Sequence, residues 1–329
     1  MIEKLFSDIY RIEIPLPENP LKATNSYFIR GKERNLLIDT GFNRSECQVA
    51  MEQAIGKIGF YMDNTDLFIT HVHSDHSGLA GYLVKPGTKI YTGKYCAQYL
   101  MDKKEIINFK KFVIQSGLSG MGVSPNDNSI HQGIKYACSK ISQANVIADE
   151  DIIEVGDVTL RCIETTGHAP GHMCLYESER KILFSGDHIL GNITPNNTIW
   201  DTPWENAYDY LGAYLKNLDK IALLEIKLVL PGHRANFNDC YGRIEELKIH
   251  HQRRLNSILE ILENKKMNGA EVASKMNWDL KIKSWDEFPP AQKFFAVGEA
   301  LSHLTHLVFT KFLIKELCDG VVYYSINTD

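Results

Sequence analysis

The spacing of apolar residues changes along the chain, and the change divides it. Asp8 to Ile14 alternates apolar and polar residues, the pattern of a strand with one covered face. Ser26 to Ile29 and Asn35-Leu-Leu-Ile-Asp-Thr-Gly41 are short apolar runs, and the second closes in a turn; both predict buried strands. A helix is predicted from Ser45 to about Lys57, then a strand at Asp66-Leu-Phe-Ile-Thr70 that runs straight into His71. Residues 93–150 break this rhythm. Helical stretches such as Cys96 to Phe112 precede the run from Ser116 to Pro125, whose glycines and serines predict a loop or hinge. Strands return at 151–155, 158–163, 173–176 and 181–184, and a helix from Trp204 to about Leu218 leads to a strand over Lys227 to Leu230.

Beyond His233 the period becomes helical. Ile244, Leu247, His251, Leu255, Ile258 and Leu262 fall on one helical face. Asn268-Gly-Ala-Glu271 has the form of a capping box. Pro289-Pro290 open a further helix with Phe294, Val297, Leu301, Leu304 and Val308 in phase, and Cys318-Asp-Gly320 reads as the turn of a closing hairpin. Helices followed by one hairpin predict a small, mostly helical, winged-helix-like domain over 238–329, behind a catalytic domain over 1–237 that carries residues 93–150 as a helical insertion or lid.

With 329 residues and 44% hydrophobic side chains, the chain can bury a sizeable core. The formal net charge of -5 argues against a sequence-independent grip on nucleic acid. Residues 264–326 are nearly balanced, with eight Lys or Arg against seven Asp or Glu, which disfavours nucleic acid as a partner there as well. Seven cysteines, an odd number with no CxxC pair, predict no disulfide framework and a reducing cytoplasm. The start lacks a basic segment followed by an apolar run, and no apolar stretch is long enough for a bilayer, so neither export nor a membrane partner is expected. The sequons at Asn192 and Asn196 carry no meaning in that setting.

The chemistry concentrates at His71-Val-His73-Ser-Asp75-His76. Imidazole and carboxylate suit borderline cations such as zinc. His71 and His73, two apart just past a strand, can point the same way, and Asp75 and His76 open the next helix. Four ligands exceed what one open catalytic site takes, so the cluster can feed two adjacent metals. His168, Asp187 and His233 each follow an apolar run and a glycine. They therefore fall at the carboxyl ends of strands, where sheet proteins build sites. His131, His250, His251, His303 and His306 lack such a setting and are expected to be structural or solvated.

Taken together, these residues resemble the metallo-β-lactamase superfamily: HxHxDH at 71–76, the His of Thr166-Gly-His-Ala-Pro-Gly-His172, the Asp of Ser185-Gly-Asp187, the His of Pro231-Gly-His233, and the leading Leu37-Ile-Asp-Thr-Gly41. The resemblance covers roughly residues 5 to 240. It implies an α/β (α+β) fold, the αββα sandwich, with two divalent metals, zinc first and iron or manganese as alternatives. By the same resemblance His71, His73 and His168 hold one metal, Asp75, His76 and His233 the other, and Asp187 bridges both. Asp39 is then expected to orient the site from behind. A water between the metals would lose its proton near neutral pH and act as nucleophile, with Asp75 orienting it. His172, four residues after His168, is placed to hydrogen-bond near the site; His188 and Arg234, each following a ligand, are candidates to face substrate.

Departures from other branches narrow the expected activity. The common zinc β-lactamases have Cys where Asp187 stands, diiron flavoproteins have Glu where His73 stands, and there is no room for the insertion of the nucleic-acid-processing branch. The layout is similar to glyoxalase II-like and lactamase-like proteins with a C-terminal winged-helix-like domain. The expected reaction is hydrolysis of a small ester, thioester or lactone. The alternative is a phosphodiesterase or endoribonuclease, followed by a non-heme iron persulfide dioxygenase. Surplus aromatic surface at Phe294, Phe295, Phe309 and Phe312 predicts packing of the C-terminal part on the catalytic domain or in a homodimer.

Overall fold

A computed structural model describes residues 1–102, 108–127, 129, 135–278 and 284–328. His131 and residues 103–107 of the expected insertion lie outside the described residues. The chain forms two compact units, one of Met1–Lys104, Gly133–Pro195 and Asn217–Ile244, the other of Glu105–Gln132, Asn196–Lys216 and Glu245–Asp329.

The first unit holds two sheets. One has seven strands in chain order: β1 (Ile2–Lys4), β2 (Ile9–Pro15), β3 (Ala23–Ile29), β4 (Asn35–Ile38), β5 (Thr65–Ile69), β6 (Ile90–Gly93) and β7 (Asn145–Ile147). It is antiparallel from β1 to β4 and parallel from β4 to β7. The second comprises β8 (Ile152–Val155), β9 (Val158–Glu164), β10 (Met173–Glu177), β11 (Ile182–Gly186) and β12 (Leu228–Pro231), antiparallel except for β11 beside β12. Both sheets contribute to one apolar core, Tyr27, Ile38 and Phe68 from the first meeting Leu160, Leu175 and Phe184 from the second. The Tyr27 and Phe184 rings meet edge to face at 5.4 Å. Strands β4, β5, β10 and β11 are buried at every position, which is why their sequences read as continuous apolar runs and not as alternation.

In the second unit a three-stranded antiparallel sheet, β13 (Met267–Asn268), β15 (Val321–Ile326) and β14 (Leu313–Cys318), accompanies the helices Gly269–Lys275 and Pro290–Phe309. The capping box read from sequence is present, with Asn268 and Glu271 each bonded to the other's backbone N–H. Asp319 and Gly320 both take positive φ, 49° and 81°, the geometry of a tight hairpin turn. Part of the 93–150 stretch is assembled here: Phe109 and Phe112 pack on Phe294, and Ser116 O accepts from Ala270 N at 2.9 Å. The helix expected from Trp204 runs instead over Tyr210–Ala222, because the Asp209 carboxylate caps it by accepting from Gly212 N at 2.8 Å. Phe295, Phe309 and Phe312 are about half exposed.

The apolar face of the Cys240–Ile261 helix carries one polar residue, His251, fully buried against His303 with Nδ1 to Nε2 at 3.0 Å. Burial holds both rings below the ordinary histidine range, reinforced at His251 by His303, His250 and Arg254. At His303 burial outweighs the pull of Glu299 and pushes the ring down to about 4. As pH falls through about 6.5 the unfolded chain binds protons that the folded pair refuses. Stability from this pair is therefore intact above about pH 6.5 and declines towards pH 4, by up to about 1.4 kcal/mol per pH unit per ring. Proton-detected titration of the histidine rings should find both still neutral at about pH 5.5 in the folded protein; a His303 ring that titrates near its ordinary value would refute the assignment.

Candidate metal centre

Each candidate ligand sits just past the carboxyl end of a strand. After β5 the chain passes Thr70 to His71 and His73, and the short Ser74–Ser77 helix then presents Asp75 and His76. His168 lies in the loop after β9, Asp187 directly follows β11, and His233 follows β12 by one glycine. That glycine is forced by space, since a Cβ on Gly232 would stand 2.5 Å from Asp187 Oδ1 and 2.7 Å from His76 Cε1. Gly186 is forced twice, by φ of 48° and by the His172 ring, 2.7 Å from where its Cβ would be.

All seven expected ligands come together in three overlapping groups: His71, His73 and His168; His71, His76 and Asp187; Asp75, His76 and His233. Within each group the candidate ligand atoms lie within 4.8 Å of one another. His73 Nδ1 stands 2.9 Å from His71 Nε2 and 3.0 Å from His168 Nε2. His76 Nε2 and His233 Nε2 are 3.3 Å apart. Asp187 lies between the sets: Oδ1 is 3.4 Å from His76 Nε2, and Oδ2 is 3.6 Å from His168 Nε2 and 3.5 Å from His233 Nε2. Asp75 Oδ2 is 3.3 Å from His233 Nε2.

The bonds behind the rings decide which nitrogen faces this cluster. Asp39 accepts from Thr70 N at 2.9 Å and from Thr70 Oγ1 at 2.8 Å. The Thr70 hydroxyl proton is thereby committed, so Thr70 Oγ1 accepts from His71 Nδ1 at 2.9 Å. Asp39 Oδ2 also accepts from His76 Nδ1 at 2.7 Å, and Ala23 O accepts from His233 Nδ1 at 2.8 Å. In each case Nδ1 carries the proton, and a neutral ring turns a bare Nε2 lone pair inwards. Several lone pairs and two carboxylates aimed at one another repel unless a cation sits among them. Asp187 Oδ1 is moreover buried, with no hydrogen-bond partner among the described residues. Burial, crowded nitrogens and the orphaned oxygen fit divalent metal ions with mixed nitrogen and oxygen ligands.

Where no cation sits among them, protons take that role at two of the rings. Burial first, then neighbouring imidazoles, hold His71 well below the ordinary range, and His73 at about 3. Burial opposes charge on His76 and His233 too, but the carboxylates around them prevail, raising His76 well above its usual value and His233 to about 10. Burial works against the Asp187 charge, and the His233 and His76 rings overcome it, holding the carboxyl well below its usual range.

Of the flanking candidates, Asp39 and His172 meet the cluster from behind. His172 Nε2 accepts from Asp187 N at 3.1 Å, while its Nδ1 is 2.8 Å from Thr165 Oγ1, so the ring fixes the backbone that carries Asp187. His188 is fully buried, with its ring 6.2 Å from that of His172. Arg234 reaches the carbonyl of Pro20 with Nη2 at 3.0 Å. Sequence reasoning missed the support from β3: Asn25 Nδ2 donates to Pro231 O and Arg234 O, and Tyr27 Oη donates to Pro231 O, pinning both sides of His233. Three consecutive polar residues, Thr24-Asn25-Ser26, leading into a buried apolar run were the available signal.

Residues 19–233 match the family model described as the metallo-beta-lactamase superfamily. The chain belongs to that superfamily. As such it is a metal-dependent hydrolase, with His and Asp groups able to bind metal. It is 26% identical over 328 residues to the beta-lactamase-like protein 2 homolog of Caenorhabditis elegans, covering 98% of this chain and 88% of that protein. It is 26% identical over 219 residues to the acyl-coenzyme A thioesterase MBLAC2 of Bos taurus, covering 65% of this chain and 74% of that one. A solved metallo-beta-lactamase family protein from Thermus thermophilus shares the fold, with a TM-score of 0.80 and 23% identity over 98% of this chain and 100% of the other.

Asp39 meets the cluster through its bonds to Thr70 and His76. Asp39→Ala should weaken metal affinity by about 10–100-fold, the usual cost of losing such a support. Competition against a chromophoric chelator measures it; an unchanged affinity would remove Asp39 from the site.

Proposed function

We propose that this protein hydrolyses small thioesters, with esters and lactones as related substrates, using two divalent metals. His71, His73 and His168 would hold one ion and Asp75, His76 and His233 the other, with Asp187 shared. The observation that carries this reading is the position of Asp187, whose carboxylate stands 3.6 Å from His168 of the first set and 3.4 and 3.5 Å from His76 and His233 of the second. Bound divalent ions would supply Lewis-acid polarisation of a carbonyl and a nucleophile available near neutral pH. The chain's own part is to orient and exclude: Asp75 to align the attacking group, and buried walls to keep the charges unscreened. The thioester preference rests on relatives named as thioesterases, acyl-coenzyme A thioesterase in Bos taurus and atrochrysone carboxyl ACP thioesterase in Aspergillus fumigatus. A single-iron dioxygenase would leave Asp75 and His76 out of the ligand set, and their convergence with His233 weighs against it.

The finer assignments belong to the same proposal. Zinc suits the nitrogen-rich set, with iron or manganese able to replace it. Free thiols at all seven cysteines agree with a reducing, cytoplasmic setting, and among the described residues no helix is long and apolar enough to cross a membrane. The helices and hairpin near the C-terminus support a winged-helix-like domain, and exposed Phe295, Phe309 and Phe312 a homodimer; the assignment of residues 93–150 as a lid rests on their sequence alone. Arg234 and His188 remain candidates for shaping the substrate end of the site.

Metal analysis of purified protein should find two ions per chain, and Asp187→Ala should lose one of them together with more than about a hundredfold of the activity. One ion at full occupancy, with activity surviving in Asp187→Ala, would refute the dinuclear assignment. In parallel assays thioesters should turn over faster than phosphodiesters. Salt-sensitive, sub-micromolar RNA binding accompanied by RNA cleavage would reverse that ranking.

A further inference from the structure

One stripe of the Cys240–Ile261 helix stays out of the core of the second unit. His250, Arg253, Arg254 and Ser257 follow one another at helical spacing and, with Asn277 and Trp278 beyond the Gly269–Lys275 helix, line an open pocket of about 600 Å³. The volume is that of a small-molecule site. Its floor is a fixed stack. The Arg254 guanidinium lies 4.5 Å from the centroid of the Trp278 ring, and the indole N–H donates to Ala273 O at 2.8 Å, which locks the ring plane. Arg254 Nε is 3.1 Å from Glu299 Oε1 and 3.0 Å from His250 Nε2, so the guanidinium is held in place over the ring and its charge is largely compensated. Arg253 beside it is exposed and has no carboxylate partner among the described residues.

These features select a ligand. A planar cation on an indole face stacks well with a flat, electron-rich ring. A second guanidinium at the rim, with a hydroxyl and an amide nearby, suits a phosphate attached to that ring through a short polar linker. Ile249 and Met276 add apolar lining that suits the edge of a ring, while the two guanidinium groups disfavour a simple cation. Glu246 is the one carboxylate among the described residues that line the pocket, and a negative charge there disfavours anions.

We propose that this pocket binds an adenosine phosphate, the base stacked on Arg254 and Trp278 and the phosphate held by Arg253. That chemistry has two sources, a free nucleotide or the nucleotide end of a coenzyme A thioester; the second rests on the thioesterase reading. Calorimetric titration of the full-length, metal-loaded protein with ADP, coenzyme A, adenosine and inorganic phosphate tests it. Saturable binding of ADP or coenzyme A is expected, with adenosine and phosphate each weaker. Arg253→Glu, an exposed site where folding should survive, is expected to weaken binding by at least about tenfold, and Glu246→Gln to tighten it. Coenzyme A binding tighter than ADP supports the substrate handle, and equal affinities support a free nucleotide. Absence of saturable binding, unchanged affinity in Arg253→Glu, or phosphate binding as tightly as ADP would overturn the proposal. Turnover of a short acyl thioester lacking any nucleotide is measured alongside, so that loss of the thioesterase reading and loss of the nucleotide pocket are told apart.

Discussion

The Asp39 carboxylate is the interaction on which the site depends. It stands at the end of β4 with φ of 55°, a left-handed turn that carries its side chain across to the next strand. There it takes up the amide and hydroxyl of Thr70 and the Nδ1 proton of His76. One acceptor therefore fixes the end of β5, the tautomer of His76 directly and that of His71 through Thr70. Without it the imidazoles could rotate or exchange tautomers, and lone pairs that repel one another would relax apart. The parallel register of β4 with β5 places Asp39 at the right height, pairing Ile38 with Phe68 just before both chains turn.

The remaining ligands depend on close backbone approach at the ends of the other sheet. β11 and β12 run side by side in parallel, and their ends are bonded through Gly232 N to Gly186 O at 2.8 Å. Any side chain at Gly232 would displace either the Asp187 carboxylate or the His76 ring. From the first sheet, Asn25 and Tyr27 hold the Pro231–Arg234 turn, so His233 is set by a strand more than two hundred positions earlier in the chain. The two-sheet core fixes these distances: Tyr27 packs its ring on Phe184 and spends its hydroxyl on Pro231, serving core and site with one side chain.

Much of this was legible in the sequence because ligand chemistry and strand ends coincide. The cluster at 71–76 and the glycine-preceded His168, Asp187 and His233 could be placed without coordinates, since an apolar run followed by glycine and a ligand type has few other uses. The short strands β1, β6 and β7 were not visible, being only three or four residues long with no room for a period to show. The start of the Tyr210–Ala222 helix was missed because a capping aspartate outranked the apolar pattern before it. The support from Thr70, Thr165, Asn25 and Tyr27 was hidden for a different reason: a hydroxyl or amide inside a buried strand looks the same whether it serves a ligand or merely satisfies a neighbour.

Six of the buried histidines separate into two classes by the same accounting of lone pairs. His71, His76 and His233 each spend Nδ1 on a fixed partner and keep Nε2 for a shared centre. His172 spends both nitrogens, on Thr165 and on the Asp187 amide. His303 spends both on Glu299 O and His251, and His251 has His303 on one nitrogen and Asn197 on the other. A ring with both nitrogens committed has no lone pair left for a metal, whatever its burial. On that ground His172, His251 and His303 drop out as candidates for metal, although all three are as deeply buried as the candidate ligands.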